Sequence, residues 1–293
     1  MLTRGGDPPD PPVPGSARRD PPRPDSPWPD PPAPDSARPE LPPLVAVAHG
    51  SRDPRGVATI EELLDLVRAR AACHGLAGLP VSGAYLGHAT PSPGQVLSAL
   101  PGGPVVVLPL LLTGAYHSKT DLPAVLRAAS ARSGGRLEIS YGDPLGPHPL
   151  LVTALERRLA EAGVRAGDPG TSVVLAAAGS SDPQARAAIT RLAARWRRRR
   201  GWRDVLPAYA SAAAPSPAGA VSELLAGGAR RVVVVSYLLA PGRFAEQVRD
   251  EALAAGAAAV SAPLGAAPEL ADIVLTRYAA ARAGPATAAT RIA

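Results

Sequence analysis

Apolar residues along the chain alternate between short continuous runs and stripes spaced three and four apart, predicting strands and helices in turn. Leu44–Ala48 is an apolar run and reads as a buried strand. Over 55–73 the apolar positions Val57, Ile60, Leu63, Leu64 and Val67 carry helical spacing. Residues 80–86 read as a second strand and 92–100 as a short helix. The run over 104–112 is apolar throughout, as expected of a parallel strand covered on both faces. A helix follows over 119–133 with Pro123 in its first turn, then a strand over Leu137–Tyr141 and a helix over 147–162. This order predicts a doubly wound α/β domain with a parallel sheet.

The order then returns. Val173 to Pro183 repeats Leu44 to Pro54 at an offset of 129–130, and Tyr209 to Pro217 repeats Tyr85 to Pro93 at 124. Val232 to Leu239 repeats Val105 to Leu112 at 127, and Pro263-Leu264-Gly265 repeats Pro144-Leu145-Gly146 at 119. A period of about 125 is too long for a solenoid unit, so two tandem domains of one fold are expected. The boundaries read as a Pro/Asp-rich tail over 1–43, a first domain over 44–163, a linker over 164–171, a second domain over 172–282 and a flexible tail over 283–293. Within the first tail, Asp-Pro-Pro recurs every ten residues from Asp10. That much proline excludes helix and ladder, so the tail is expected to be disordered and partly polyproline II. It lacks the apolar core of a secretory signal.

Composition narrows the class. No stretch approaches the apolar length of a membrane span. The lone cysteine, Cys73, excludes an intrachain disulfide and fits a cytoplasmic protein. The net charge of +6 is unevenly spread. Residues 1–43 carry five arginines against seven acids, 44–170 eleven bases against ten acids, and 171–293 fifteen arginines against eight acids. The basic excess in the last part suits an anionic partner, whether polycarboxylate or nucleic acid.

Four histidines have a counterpart in the second copy, and none is a histidine there. His49 aligns with Ala178, His88 with Ala212, His117 with Phe244 and His148 with Ala267. The fold is therefore buildable without them. His49 and His117 each follow an apolar strand and a small, turn-forming segment. In open parallel sheets ligands bind at the carboxyl ends of strands, so both imidazoles are candidates for one cleft. His148 reads as a helix-start residue and His74 as an incidental one. Two imidazoles with few other donors suit Co²⁺, Ni²⁺ or Fe²⁺, whereas a closed zinc site would need more ligands, usually thiolates. A two-histidine site leaves coordination positions open, which suits handing metal on.

With Ala48-His49-Gly50-Ser51-Arg52-Asp53-Pro54, with 109–117 leading to Asp121-Leu122-Pro123, and with Pro144-Leu145-Gly146-Pro147-His148-Pro149, the sequence resembles the class II chelatases, most closely the sirohydrochlorin chelatases of siroheme and cobalamin synthesis. The resemblance spans 44–280. It implies insertion of a divalent metal into a tetrapyrrole bearing eight carboxylates, with the metal as substrate and no tightly bound cofactor. The family's two motif histidines fall on His49 and His117. Its usual acidic residue is missing from Tyr85-Leu86-Gly87-His88-Ala89-Thr90-Pro91-Ser92, where His88 is the candidate auxiliary ligand or base. Arg52 and Lys119, beside the two histidines, are candidates for the substrate carboxylates. Asp53, Asp182, Ser51 and Ser180 occur in both copies and read as helix-capping scaffold.

The expected partner is sirohydrochlorin, with no membrane; a homodimer is left open. The run Arg195-Trp196-Arg197-Arg198-Arg199-Arg200, interleaved with Trp196 and Trp202, suits a grip on nucleic acid or contact with the tetrapyrrole or a partner. The favoured reading is a solvated helix end. A rival to the enzyme is a carrier that binds metal or tetrapyrrole without turnover.

Overall fold

The computed structural model describes residues 41–114, 121–284 and 290–292. The expected disorder of the Pro-rich tail falls almost wholly outside them. In the first half the elements are β1 (Leu44–Ala48), α1 (Pro54–Ala71), β2 (Val81–Tyr85), α2 (Pro93–Ser98), β3 (Gly103–Pro109), α3 (Leu122–Arg132), β4 (Leu137–Tyr141) and α4 (Pro149–Glu161). The second half has β5 (Thr171–Ala177), α5 (Pro183–Arg200), β6 (Asp204–Tyr209), α6 (Pro217–Ala226), β7 (Arg231–Tyr237), α7 (Arg243–Ala254), β8 (Ala259–Val260) and α8 (Pro268–Arg282). The strands form two sheets. The first has the order β2-β1-β3-β4, and the second β6-β5-β7-β8, all parallel.

The sheet registers reproduce the offsets seen in the sequence. Leu44 pairs with Val81 and Val106 in one sheet, and Val173 pairs with Val205 and Val233 in the other. Val106 faces Ser140 just as Val233 faces Ala259.

Alternation along the strands builds three cores. Val45, Val47, Val105 and Val107 turn outward under α2 and α3, while Val174, Ala176, Val232 and Val234 turn outward under α6 and α7. The opposite faces, Leu44, Ala46, Val106 and Leu108 in one sheet and Val173, Leu175, Val233 and Val235 in the other, join a single inner core with α1, α4, α5 and α8. That shared core is organised by an exchange of helices. α8, the last helix of the second half, packs on α1, β3 and β4; α4, the last of the first half, packs on β7. The two copies are therefore not separate beads on a linker. Tandem repeat offsets carry no information about which sheet a terminal helix covers, so this feature was not legible in the chain.

One strand has no counterpart in the sequence reading. Within the stretch expected as a flexible tail over 283–293, Thr290–Ile292 form β9, antiparallel to β4. It covers the otherwise open edge of the first sheet.

Candidate functional site

The order β2-β1-β3-β4 reverses direction between β1 and β3, and the crevice at such a switch point is where open sheets bind ligands. His49 immediately follows β1 and is exposed there; its ring Nδ1 lies 3.3 Å from Gly50 O. On one side stands β2. The N–H of Leu86 donates to Ala48 O (3.0 Å) and the N–H of Gly87 to His49 O (3.1 Å). His88 is the next residue and is also exposed. On the other side stands β3, whose extension donates from Leu110 N to Val47 O (2.8 Å) before running through Thr113 and Gly114. His117 and Lys119 lie outside the described residues. Arg52 is exposed on the turn and makes no ion pair among the described residues. The structure thus puts His49 and His88 on neighbouring strand tips. Among the described residues no three His, Cys, Asp or Glu side chains cluster.

The turn behind His49 is built the same way twice. Gly50 has φ +89°, and a Cβ there would lie 1.7 Å from Gly87 O; Gly179 has φ +98°, with Ser211 O at 1.9 Å. Ser51 Oγ accepts from Asp53 N (3.0 Å), and Asp53 Oδ1 accepts from Arg55 N (2.9 Å), capping α1. Ser180 and Asp182 repeat both contacts at 3.1 and 2.8 Å on α5. The capping role holds for Asp53 and Asp182, whereas Ser51 and Ser180 brace the N–H of the capping residue itself. Arg55, hydrogen-bonded to Asp53, holds that carboxyl below the usual range.

The same turn meets the second half. Arg55 bridges Asp53 (2.6 Å) and Glu246 in the first turn of α7. A Cβ on Gly56 would sit 3.2 Å from Pro241 O, and one on Gly242 would sit 3.6 Å from Ser51 Oγ. The strand tip bearing His49 is thus walled by the segment after β7. Sequence reasoning missed Glu246, because nothing local marks an acid whose partner lies 191 residues away.

The remaining histidines have structural tasks. His148 caps α4, its Nδ1 accepting from Leu150 N at 3.2 Å. Burial first, then the nearby Arg277 charge, push its pKa down. His74 reaches Asp272 of α8 at 3.0 Å, beside a bidentate Arg70–Asp272 pair at 2.8 Å. In the arginine run, Trp196 and Trp202 are buried edge to face, 5.9 Å apart. Trp196 donates to Glu156 (2.9 Å), and Arg200 clasps the same carboxylate. Neither indole is available to stack on a base.

The duplicated α/β fold thus carries imidazoles at the strand tips of one copy and alanines at their counterparts. The CbiX family model matches residues 43–162 and again 172–281, and the chain belongs to the CbiX family. A sirohydrochlorin cobaltochelatase of Priestia megaterium is 27% identical over 214 residues, covering 70% of this chain and 66% of the relative. A sirohydrochlorin ferrochelatase of Bacillus subtilis (strain 168) is 32% identical over 148 residues, 50% of this chain and 55% of the relative. The chain thus spans between about half and two thirds of the length of these curated relatives. In fold it is similar to SirB from Bacillus subtilis with Fe³⁺, with a TM-score of 0.70 and 24% identity over 83% of this chain and 96% of that one. The sirohydrochlorin chelatase SirB from Bacillus subtilis subspecies spizizenii in complex with cobalt gives a TM-score of 0.68 at 23% identity, over 84% and 97%. Among the described residues no helix is long and apolar enough to cross a membrane.

Proposed function

We propose that this protein is a cytoplasmic sirohydrochlorin chelatase, inserting Co²⁺ or Fe²⁺ into the tetrapyrrole. The observation that carries the reading is the placement of His49 at the switch-point crevice, on a turn whose second copy keeps every scaffold residue but has Ala178 instead. The names of the relatives point to the same chemistry. Metallation removes two pyrrole N–H protons and replaces the ion's waters with four ring nitrogens. A free imidazole titrates near pH 6.5, so at neutral pH it both ligates a metal and accepts a proton. In this reading His49 and His117 hold the ion, with His88 as third ligand or base. Holding ring and ion together replaces a slow bimolecular exchange with an intramolecular one. Arg52 and Lys119 pair with substrate carboxylates, and the metal is substrate, not resident cofactor.

The test is Co²⁺ or Fe²⁺ insertion into sirohydrochlorin at substoichiometric protein. Turnover with a loss of about 100-fold or more in His49→Ala supports the reading. Binding without turnover would make the protein a carrier, and an unchanged rate in both His49→Ala and His117→Ala would remove the two-histidine mechanism.

A further inference from the structure

α1 and α5 are counterparts of equal length, 18 residues each from an initial proline, so their positions correspond one to one. Arg191, Arg195 and Arg198 of α5 stand where α1 has Glu62, Leu66 and Ala69. Their spacing of four and then three puts them on one face of the helix. All three are exposed, and none makes an ion pair among the described residues. At 1.5 Å of rise per residue they form a line of cations about 10 Å long.

A last helical turn rich in arginine is favoured by the helix dipole, which accounts for Arg197 to Arg200. Two of these four recur in the first half and are bonded there, Arg68 to Asp65 and Arg70 to Asp272. In the second half Arg200 clasps Glu156, and Arg197 reaches Asp204 at 3.6 Å. The dipole does not account for the cations beyond the helix. Arg203 before β6, and Arg230 and Arg231 at the entry to β7, stand where the first half has Leu79, Gly103 and Pro104. They gather at one end of the sheet: Arg203 N donates to Thr171 O (3.2 Å), and Thr171 pairs with Arg231. None of the three makes an ion pair among the described residues. Asp168, near Arg231, is taken up by Thr171 Oγ1 (2.6 Å) and Gly170 N (2.9 Å). The first half builds the same scaffold with no cation at any of these six places, so the fold does not require them.

We propose that this arginine surface, α5 together with the amino end of the second sheet, docks the phosphate backbone of duplex nucleic acid. A line of cations fits a linear polyanion, and a duplex carries one negative charge per about 1.7 Å of its axis. Guanidinium is the fork that matches phosphate, and every cation here is an arginine. Trp196 and Trp202 are buried, which excludes stacking on unpaired bases and leaves a backbone to be gripped. An anionic membrane fits less well. Interfacial binding needs apolar residues inserted beside the cations, whereas the exposed Leu225 and Leu253 belong to α6 and α7, on the sheet face opposite α5. Arg203, Arg230 and Arg231 lie at the amino ends of the strands and the histidine site at carboxyl ends. The seven residues of β5, at about 3.3 Å each, put about 20 Å between the two ends of the sheet. The inference does not depend on the chelatase reading.

The experiment is fluorescence anisotropy of a mixed-sequence DNA duplex of about 20 base pairs, titrated with the full chain from about 50 to about 200 mM salt. Co-sedimentation with phosphatidylglycerol vesicles runs in parallel. About five phosphate contacts give a log–log salt slope of about −4.5, an affinity loss of about 500-fold over that range. Arg198→Gln on α5 and Arg230→Gln before β7 should each lower the slope by about 1 and weaken low-salt binding about fivefold. Arg127→Gln, at an exposed arginine of α3, changes the net charge equally and should leave binding within about twofold. Should one of the two surface variants fail to fold, the other decides, since they lie on different elements. Absence of duplex binding at the low-salt end overturns the proposal, as does binding of vesicles without binding of duplex. Duplex binding that the surface variants leave unchanged, or that Arg127→Gln weakens as much as they do, overturns it too.

Discussion

His88 and Ala212 share a backbone conformation found at no other non-glycine among the described residues, with φ of 61° and 57°. They occupy the same place in the two copies, three residues beyond the last residue of β2 and of β6. The turn takes this shape whether its side chain is an imidazole or a methyl group. The strain therefore belongs to the scaffold, and the imidazole is an addition to it.

A left-handed conformation costs an ordinary residue about 1–2 kcal/mol, and glycine escapes most of it. Both His88→Gly and Ala212→Gly are expected to stabilise the protein, by about 0.5–1 kcal/mol after glycine's own entropy cost. They part company in activity: His88→Gly slows metal insertion and Ala212→Gly leaves it unchanged. Thermal melts with parallel insertion assays decide, and equal activities would return His88 to the scaffold.

Gly50 and Gly179 tolerate no side chain, because a methyl group would enter the carbonyl of Gly87 or Ser211. Each alanine variant should destabilise by about 3 kcal/mol, from steric displacement and positive φ together. Denaturant midpoints measure this. Gly50→Ala should also displace His49 and lower activity beyond its effect on stability.

Asp272 ties α8 to α1, and its carboxyl is held below its ordinary value chiefly by the Arg70 hydrogen bond, with His74 adding to it. A depressed carboxylate stabilises the fold above its unfolded pKa, about 3.9, and that contribution fades as pH falls through the folded pKa. Asp272→Asn should cost about 1–2 kcal/mol at neutral pH and close to nothing in strong acid. Urea titrations across the acid range provide the check.

His148 is a base whose pKa is lowered, so the unfolded chain takes up the proton first as pH falls below about 6.5, and stability drops from there toward the folded pKa. His148→Asn keeps an N-cap acceptor without the titration. Its melting temperature should match wild type near pH 8 and exceed it near pH 5. Parallel melting curves would contradict this.

Much of the fold was written locally. The repeat offsets became sheet registers: the first and third were carried by strands whose apolar runs have to pair, the second and fourth by the turns that follow β2 and β4 and their counterparts β6 and β8. The caps at Asp53 and Asp182 followed from residue chemistry at helix starts, and the helix-start reading of His148 from its Gly-Pro-His-Pro setting. What stayed hidden was long-range. Nothing near Asp272 or Arg277 says that each meets the first half, since α8 packs on a sheet it does not follow, and nothing near Glu246 says that the start of α7 meets the start of α1. The reading of His49 and His88 came from comparing the copies. It would not have come from either copy alone, where a histidine after a strand is an ordinary residue.

The reciprocal packing of α4 and α8 has a further consequence. Each sheet is roofed on its inner face partly by chain that belongs to the other half, so a protein severed within 164–171 gives two fragments with uncovered hydrophobic faces. Neither fragment is expected to be soluble when expressed by itself; co-expressed, the two should reassemble through the same helices. Heating the intact chain should give a single calorimetric transition over both halves, because melting either one strips the other of its lid.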